Sequence, residues 1–488
     1  MSVSFNAIPN DLRVPLVSIE IDNSAAVQGT PAIAWKVLVL GQRTADGTAK
    51  AGEAVRVTKA SQAEQLFGRG SMLASMFRLG KAANSYMETW AIPLDDAQAG
   101  AAATMTITVT KAATGAGTLY LLIGGEQVRV GVADGDDAKA MAAAIAATVN
   151  GNTRLPVVAA ATDDSVKLTC RWKGLTGNDI DVRQNYYPGE VNPPGVALTI
   201  GTMTGGAANP DVINAIAAFG DEWWNSIVMP YTDTANMNAL EAELLTRWGP
   251  MRMIDSLTFS AFRGSHAATG TFGNSRNGFL LSCMGANLSP QPAYLWAMVY
   301  GLIASQSLSI DPARPLQTLA LPGLLPADKS LRWDLPENNL LLHDGIATHS
   351  VGPGEVVQIQ REITTYQLDS FGQPDPSYLD INTPANLSSI RYATTSRIQL
   401  RFPRHKLAAD GTRFAPGQAV VTPSMIRAQL LALFTELEGK GQVQDFEKYK
   451  ASLVVQINKD NPTRLDVLGH PHLVSGFRLF AMQIQFIL

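Results

Sequence analysis

The sequence predicts a multidomain chain of α/β plus α+β class. A βαβ host domain carries an inserted α+β domain and is followed by a C-terminal α+β domain with exchanged terminal strands. Between residues 210 and 310, strands alternate with helices of about 10–14 residues, as in βαβ units. Before this region, the composition changes after Asp95–Asp96 to an Ala- and Thr-rich stretch, which indicates an inserted domain. The chain then ends inside a strand-like run, Phe477–Leu488.

Residues 1–30 are predicted to form an N-terminal arm and a first strand. Val17, Ile19 and Ile21 alternate with polar residues behind a Pro-containing stretch. This period of two is typical of a half-buried strand. Such a strand at a chain end suggests pairing with a sheet, in its own subunit or in a neighbour.

The host domain is predicted over residues 31–96 together with 206–345. Its expected strands are Trp35–Gly41, Thr89–Pro93, Asn225–Pro230, Met253–Ser260 and Gly278–Met284, and its expected helices are Ser61–Phe67, Ser71–Ala83, Pro210–Phe219, Asn236–Trp248 and Pro292–Ser305. Ser61 and Ser71 are expected N-caps, the former in a capping box with Glu64. The order of these elements favours a mostly parallel sheet.

One uncharged segment of the host domain resembles a membrane span. Its continuously apolar run, Ala293–Ala304, has only 12 residues. That run is too short to cross about 30 Å of hydrocarbon. We therefore expect a buried core helix.

The inserted domain is predicted over residues 97–205. Strands Thr118–Ile123 and Glu126–Val132 are joined by Gly124-Gly125, a strong hairpin signal. Helix Ala138–Val149 carries Met141, Ile145 and Val149 on one face. Because a helix joins several short strands, we expect an α+β fold.

The C-terminal domain is predicted over residues 346–488, after an ordered Pro-rich loop. Its expected elements are strand-like Ser350–Arg361, helices Thr383–Leu400 and Pro423–Leu437, and strands Leu453–Asn458, Arg464–Leu468 and Ser475–Leu488. Apolar residues alternate with glutamines at the terminus, at Met482, Ile484 and Phe486, and Leu488 ends the chain. An unpaired apolar strand is an adhesive edge, so this run must lie in a sheet.

Composition restricts the partners. Charged residues make up 16% of the 488 residues and the net charge is −4, against about 25% charged residues in an average protein. A low charge density fits a protein that buries much surface against partners. No run of five basic residues occurs, which argues against nucleic acid or an anionic membrane as the main ligand. Cys170 and Cys283 do not have the spacing of metal ligands or of a disulfide framework, so we expect a reducing compartment. We expect no signal peptide.

The sequence offers weak signals for chemistry. Ser265-His266 suggests an α/β hydrolase-like enzyme, but a nucleophile and its base are paired in space, and a helix cap is the simpler interpretation. His470 and His472 flank a proline at an expected turn. We predict no catalytic residue, no metal site and no cofactor.

A basic cluster follows the first C-terminal helix. It comprises Arg397, Arg401, Arg404, His405 and Lys406. Such a cluster can be a solvated loop face or a surface that meets an acidic partner.

Several segments together resemble the tail sheath proteins of contractile-tailed, Mu-like bacteriophages. They are Val14–Ala26, Gly345–Thr348, Val356–Tyr366, Tyr378–Thr383, Arg401–Leu407, Pro423–Leu437 and the closing strands. The inserted region is similar to the outward-facing extra domain of such sheaths. The resemblance implies a non-enzymatic subunit of a virion tail, assembled in the host cytoplasm.

The resemblance also implies partners. Subunits would form hexameric rings stacked helically around a tail tube protein, with baseplate and tail terminator proteins at the ends, and contraction would drive the tube through the host envelope. Val17, Ile19 and Ile21, and Met482, Ile484, Phe486 and Leu488, would add to sheets of neighbouring copies. Arg397, Arg401, Arg404 and Lys406 are candidate tube contacts. Nucleic acid and membrane insertion are not expected. Alternatives are the sheath of a bacteriocin or secretion device, or the hydrolase-like enzyme.

Overall fold

The computed structural model describes Val17, Ile19, residues 33–415 and residues 417–487. The chain divides into two compact units, which are described one at a time. The larger unit contains Ala34–Ser389 and the chain from Leu473 onwards, and the smaller one contains Ile390–His472. The division falls within one helix, Asn382–Arg401.

The larger unit is built on a six-stranded sheet. Its strands are β1 (Lys36–Gln42), β2 (Val55–Val57), β3 (Glu88–Leu94), β11 (Ser226–Val228), β12 (Leu257–Arg263) and β13 (Leu281–Asn287). Their order is β13-β12-β11-β1-β3-β2, and β2 alone runs antiparallel to its neighbour. Val37 of β1 lies opposite both Thr89 and Ser226, so strands from either side of the insertion share one sheet. The predicted mostly parallel sheet is confirmed.

Helices cover this sheet. They are α1 (Ala60–Phe67), α2 (Met72–Ala83), α4 (Ile213–Phe219), α5 (Thr234–Trp248), α6 (His266–Asn274), α7 (Ala293–Ile310) and α8 (Leu335–His343). Ser71 caps α2, as predicted, by accepting a hydrogen bond from the Ala74 N–H at 3.1 Å. The predicted cap of α1 is wrong: Lys59 occupies the cap position, because the helix begins one residue before Ser61.

Helix α7 is the centre of the core. It packs against β12, β11, β13 and α2, and Trp296, Tyr300 and most of its other side chains are buried. Among the described residues it is the one helix long and apolar enough to cross a membrane, but 72% of that stretch is buried inside the protein. The predicted core helix is confirmed.

Phe259 on β12 is a sensitive point of this core. Its side chain is fully buried, and its ring meets Tyr300 of α7 edge-on, with centroids 5.2 Å apart. We expect Phe259→Ala to lower the free energy of unfolding by about 3–5 kcal/mol, measured by urea denaturation. Leu245→Ala, at a largely exposed position of α5, is the matched control and should have little effect. Equal effects of the two substitutions would contradict this packing.

The inserted region forms two antiparallel sheets and one helix. Its elements are β4 (Ala102–Lys111), β5 (Gly117–Ile123), β6 (Glu126–Val132), α3 (Ala138–Gly151), β7 (Val157–Thr162), β8 (Ser165–Lys173), β9 (Val182–Gln184) and β10 (Ala197–Ile200). The sheets have the orders β10-β4-β8-β7 and β6-β5-β9. The predicted hairpin is confirmed, since Ile123 pairs with Glu126 and both intervening glycines have positive φ.

Residues 346–389 pack with the larger unit. They include β14 (Thr348–Val351) and β15 (Val357–Arg361), which pair with each other. The Ala347 N–H donates to Cys283 O of β13 at 2.9 Å, and Ile363 lies fully buried in the core. The compact C-terminal unit therefore begins at residue 390, whereas the sequence places a domain boundary at residue 346.

The smaller unit is built around the helix Pro423–Gly439. Its elements are the end of α9 (Asn382–Arg401), β16 (Lys406–Leu407), β17 (Val420–Val421), α10 (Pro423–Gly439), β18 (Val443–Gln444), α11 (Phe446–Ser452), β19 (Val454–Ile457) and β20 (Leu465–Leu468), with β21 (His472–Leu473) at its boundary. Ile426 and Leu430 of α10 form a small core with Leu453. The predicted helices and the strands near residues 454–468 are confirmed.

Candidate assembly surfaces

The C-terminal tail, residues 474–487, carries no helix or strand in the isolated chain. Over residues 475–487 the predicted strand is not formed, because a strand needs a second strand to satisfy its backbone groups. The tail exposes Phe477, Leu479, Phe480, Met482, Ile484, Phe486 and Ile487, each by at least 66%. A run of exposed large apolar side chains indicates an interaction segment.

Arg478 is the exception within this tail. Its side chain is only 14% exposed and forms an ion pair with Glu362 at 2.5 Å. Its position in the sequence is distinctive, since Arg478 is the last charged residue before ten uncharged ones. The sequence pattern alone predicts no role for Arg478.

The N-terminal arm is described only at Val17 and Ile19. Both side chains are largely exposed. Ile21 of the arm and Leu488 of the tail lie outside the described residues. Their role in assembly stays a prediction.

A hairpin of the smaller unit has no further strand on either edge within the described residues. Strands β19 and β20 form a two-stranded antiparallel sheet in the described part of the chain, with Val455 opposite Val467. The Asn458 N–H donates to Arg464 O at 2.9 Å. Because hydrogen-bonded and non-bonded pairs alternate, the backbone groups of Val455 and Val467 point outward, away from the partner strand. Within the described residues, each edge of the hairpin therefore carries backbone groups with no strand partner.

Packing holds this hairpin in place on one face. Val455 and Leu465 contact the core of α10, while Val454 and Leu468 are about half exposed on the other face. At its turn, the side-chain hydrogen bond from Asn458, supported by Arg464, lowers the pKa of Asp466. An isolated two-stranded hairpin is marginal in water, and added strands would stabilise it.

The basic cluster is divided by the structure. Arg401 ends α9, Arg404 lies in the turn that follows, and Lys406 begins β16; all three side chains are exposed. Arg397 is buried and pairs with Glu436 of α10 at 2.5 Å. Arg397 therefore stabilises the smaller unit, and the exposed basic surface consists of Arg401, Arg404 and Lys406, with His405 exposed between the last two.

The residues considered for chemistry have structural roles. Ser265 caps α6 by accepting from the Ala268 N–H at 3.3 Å, and the His266 Nε2 lies 2.9 Å from Glu337 O. The predicted helix cap is confirmed. Burial raises the pKa of the Cys170 thiol to about 12, so this thiol stays protonated at neutral pH. No group of three metal-ligating side chains occurs among the described residues.

Three family models match successive parts of the chain. The phage tail sheath protein beta-sandwich domain matches residues 98–207, the central domain of the phage tail sheath protein matches residues 205–365, and the phage tail sheath C-terminal domain matches residues 373–487. The matches follow the order of the structural regions described above.

Two known proteins are similar over nearly the whole chain. The Mu-like prophage FluMu tail sheath protein of Haemophilus influenzae is 51% identical over 488 residues, which is 100% of both chains. The crystal structure of a sheath tail protein from Desulfitobacterium hafniense matches with a TM-score of 0.50 and 11% identity, covering 94% of this chain and 97% of the other. The second likeness concerns the fold alone.

Proposed function

Because this chain belongs to the phage tail sheath protein family and is a structural protein rather than an enzyme, we propose how it assembles. Copies polymerise as stacked hexameric rings around the tail tube protein of a virion. The baseplate and tail terminator proteins bind the two ends of this polymer, which forms in the host cytoplasm. Contraction drives the tube through the host cell envelope.

The exposed terminal tail is the observation that carries this proposal. Met482, Ile484 and Phe486 expose their side chains on a segment that lacks a strand partner. The β19–β20 hairpin also lacks strand partners, since both of its edges are unpaired within the described residues. Donation of the tail of one copy to the hairpin of the next would pair the backbone groups of both segments.

Donation of this kind is directional. The donor segment and the acceptor hairpin are different parts of the chain, so each contact is head-to-tail and leaves a free donor and a free acceptor at the two ends. Repeated head-to-tail contacts produce rings or helical polymers. The N-terminal arm, with Val17, Ile19 and Ile21, supplies a second link of the same type to another copy.

The tube contact is assigned to the exposed basic surface. Arg401, Arg404 and Lys406 offer three positive charges on one short stretch, suited to an acidic partner surface. Arg397 is left out of this surface because it is buried against Glu436.

Electron microscopy of the purified protein tests the proposal. Negative-stain images are expected to show helical tubes with six-fold end views. Protein that stays monomeric over a wide range of salt and pH would contradict it. Tubes alone would not separate a phage tail from a bacteriocin or secretion device; neighbouring genes for a tube, a baseplate and a capsid would identify the phage.

A further inference from the structure

Arg478 fixes the start of the exposed tail to the larger unit. Its guanidinium donates from Nη2 to Glu362 Oε1 at 2.5 Å and to Asp380 Oδ1 at 3.2 Å. The same nitrogen lies 3.3 Å from Asn382 Oδ1, and Nη1 donates to Gln317 Oε1 at 3.1 Å. Four acceptors therefore converge on one side chain.

Glu362 makes this arrangement strong. Its side chain is fully buried, and its Oε1 also accepts the Leu316 N–H at 2.9 Å. A buried carboxylate is costly unless a cation and hydrogen bonds compensate it. Arg478 supplies that cation from a part of the chain 116 residues away. Release of Arg478 would leave the Glu362 charge buried and unpaired.

The backbone beside Arg478 is held as well. Gln317 donates from Nε2 to Phe477 O at 3.1 Å. A Cβ on Gly476 would lie 2.9 Å from the Pro315 ring, so this glycine permits close approach. In contrast, the Phe477 and Leu479 side chains are 71% and 81% exposed. Polar contacts at one point, rather than apolar burial along the tail, thus hold the segment.

We infer that Arg478 is a positioning residue that, with Glu362, forms a clamp fixing where the donated strand leaves its own subunit. This inference rests on the strand donation proposed above. Beyond the clamp, residues 479–487 reach about 30 Å when extended, whereas release back to residue 473 would lengthen the reach to about 50 Å. The clamp therefore restricts which neighbouring hairpin the strand can meet. During contraction, a pull on the strand acts on the clamp and not on the chain before it.

Limited trypsin digestion of the full-length chain tests the clamp. Trypsin needs an accessible arginine to cut the Arg478–Leu479 bond, so the clamp protects this site. Release of the peptide after Arg478 is followed by mass spectrometry at a concentration where micrographs show no tubes. Glu362→Gln is expected to accelerate the release about tenfold, because the charge-assisted hydrogen bond is lost.

Glu355→Gln is the matched control, since Glu355 pairs with Arg332 and Lys329 and does not contact Arg478. Gln317→Ala removes only the partly exposed side of the clamp and should give a smaller acceleration in a chain with an unchanged circular dichroism spectrum. Equal release rates in the wild type and in both clamp variants would overturn the inference.

Tube yield, measured by sedimentation, tests the positioning role. Glu362→Gln and Gln317→Ala keep the strand itself intact, yet should reduce the yield several-fold, while Glu355→Gln should not. Wild-type yields together with faster cleavage would also overturn the inference. Failure of strand donation gives a different result. A chain lacking Gln483–Leu488 would still build tubes, while Glu362→Gln and Gln317→Ala would still accelerate cleavage in the unassembled chain.

Discussion

Deleting Gln483–Leu488 is expected to leave a folded chain that forms no tubes. The deleted side chains Ile484, Phe486 and Ile487 are at least 73% exposed in the isolated chain, so their loss should change the free energy of unfolding by less than about 0.5 kcal/mol. In the assembly, burial of Ile484 or Phe486 should each contribute about 1.5–3 kcal/mol. Sedimentation and negative-stain microscopy measure the loss of tubes, and thermal unfolding measures the fold.

Point substitutions test whether assembly needs the apolar face of the tail or only its length. Ile484→Asp with Phe486→Asp places charges on the apolar face and should abolish tubes. Gln485→Glu, the control, places one charge on the opposite face of the same segment and should be tolerated far better. Tubes from the deleted chain, or equal loss from both faces, would show that the tail does not pair as a half-buried strand.

Val467→Pro is expected to block assembly from the acceptor side. The backbone N–H of Val467 points away from β19, so its removal leaves the hairpin's own ladder intact. Proline is tolerated at an edge strand whose N–H faces solvent, but an added strand loses a hydrogen bond and meets the ring. Circular dichroism should be unchanged, while tube yield falls to background.

Val467→Ala is the control, because it keeps the N–H and removes only two methyl groups from a half-exposed side chain. Ile457→Pro applies the same change to the β19 edge. If the two edges receive the C-terminal strand and the N-terminal arm respectively, each proline should remove one link. Normal tubes from both proline variants would exclude this hairpin as the acceptor.

Local patterns were sufficient for much of the fold. The apolar runs of β1 and α7 are continuous, which predicts that these elements are buried on all sides. The dipeptide Gly124-Gly125 predicts the turn of its hairpin. A serine near a helix start does not by itself locate the cap, because neighbouring residues compete for that position: Ser71 caps α2, but α1 begins before Ser61.

Ion pairs between distant segments do not follow from local sequence patterns. Arg397 reads as one of several clustered basic residues, yet Glu436 on another helix makes it a buried ion pair. Glu362 and Arg478 likewise belong to distant segments, and the sequence of neither segment predicts that they pair. Alternation of apolar and polar residues predicts a strand in the tail, but it does not identify the chain that supplies the partner strand.

Helical reconstruction of assembled tubes by electron cryomicroscopy tests the central claim most directly. The strand-exchange account predicts that residues 479–487 cross to another copy and form main-chain hydrogen bonds with an edge of its β19–β20 hairpin, while Arg478 stays on Glu362 of the original subunit. A map in which these residues fold back onto their own subunit, with neighbours joined through side chains alone, would contradict it.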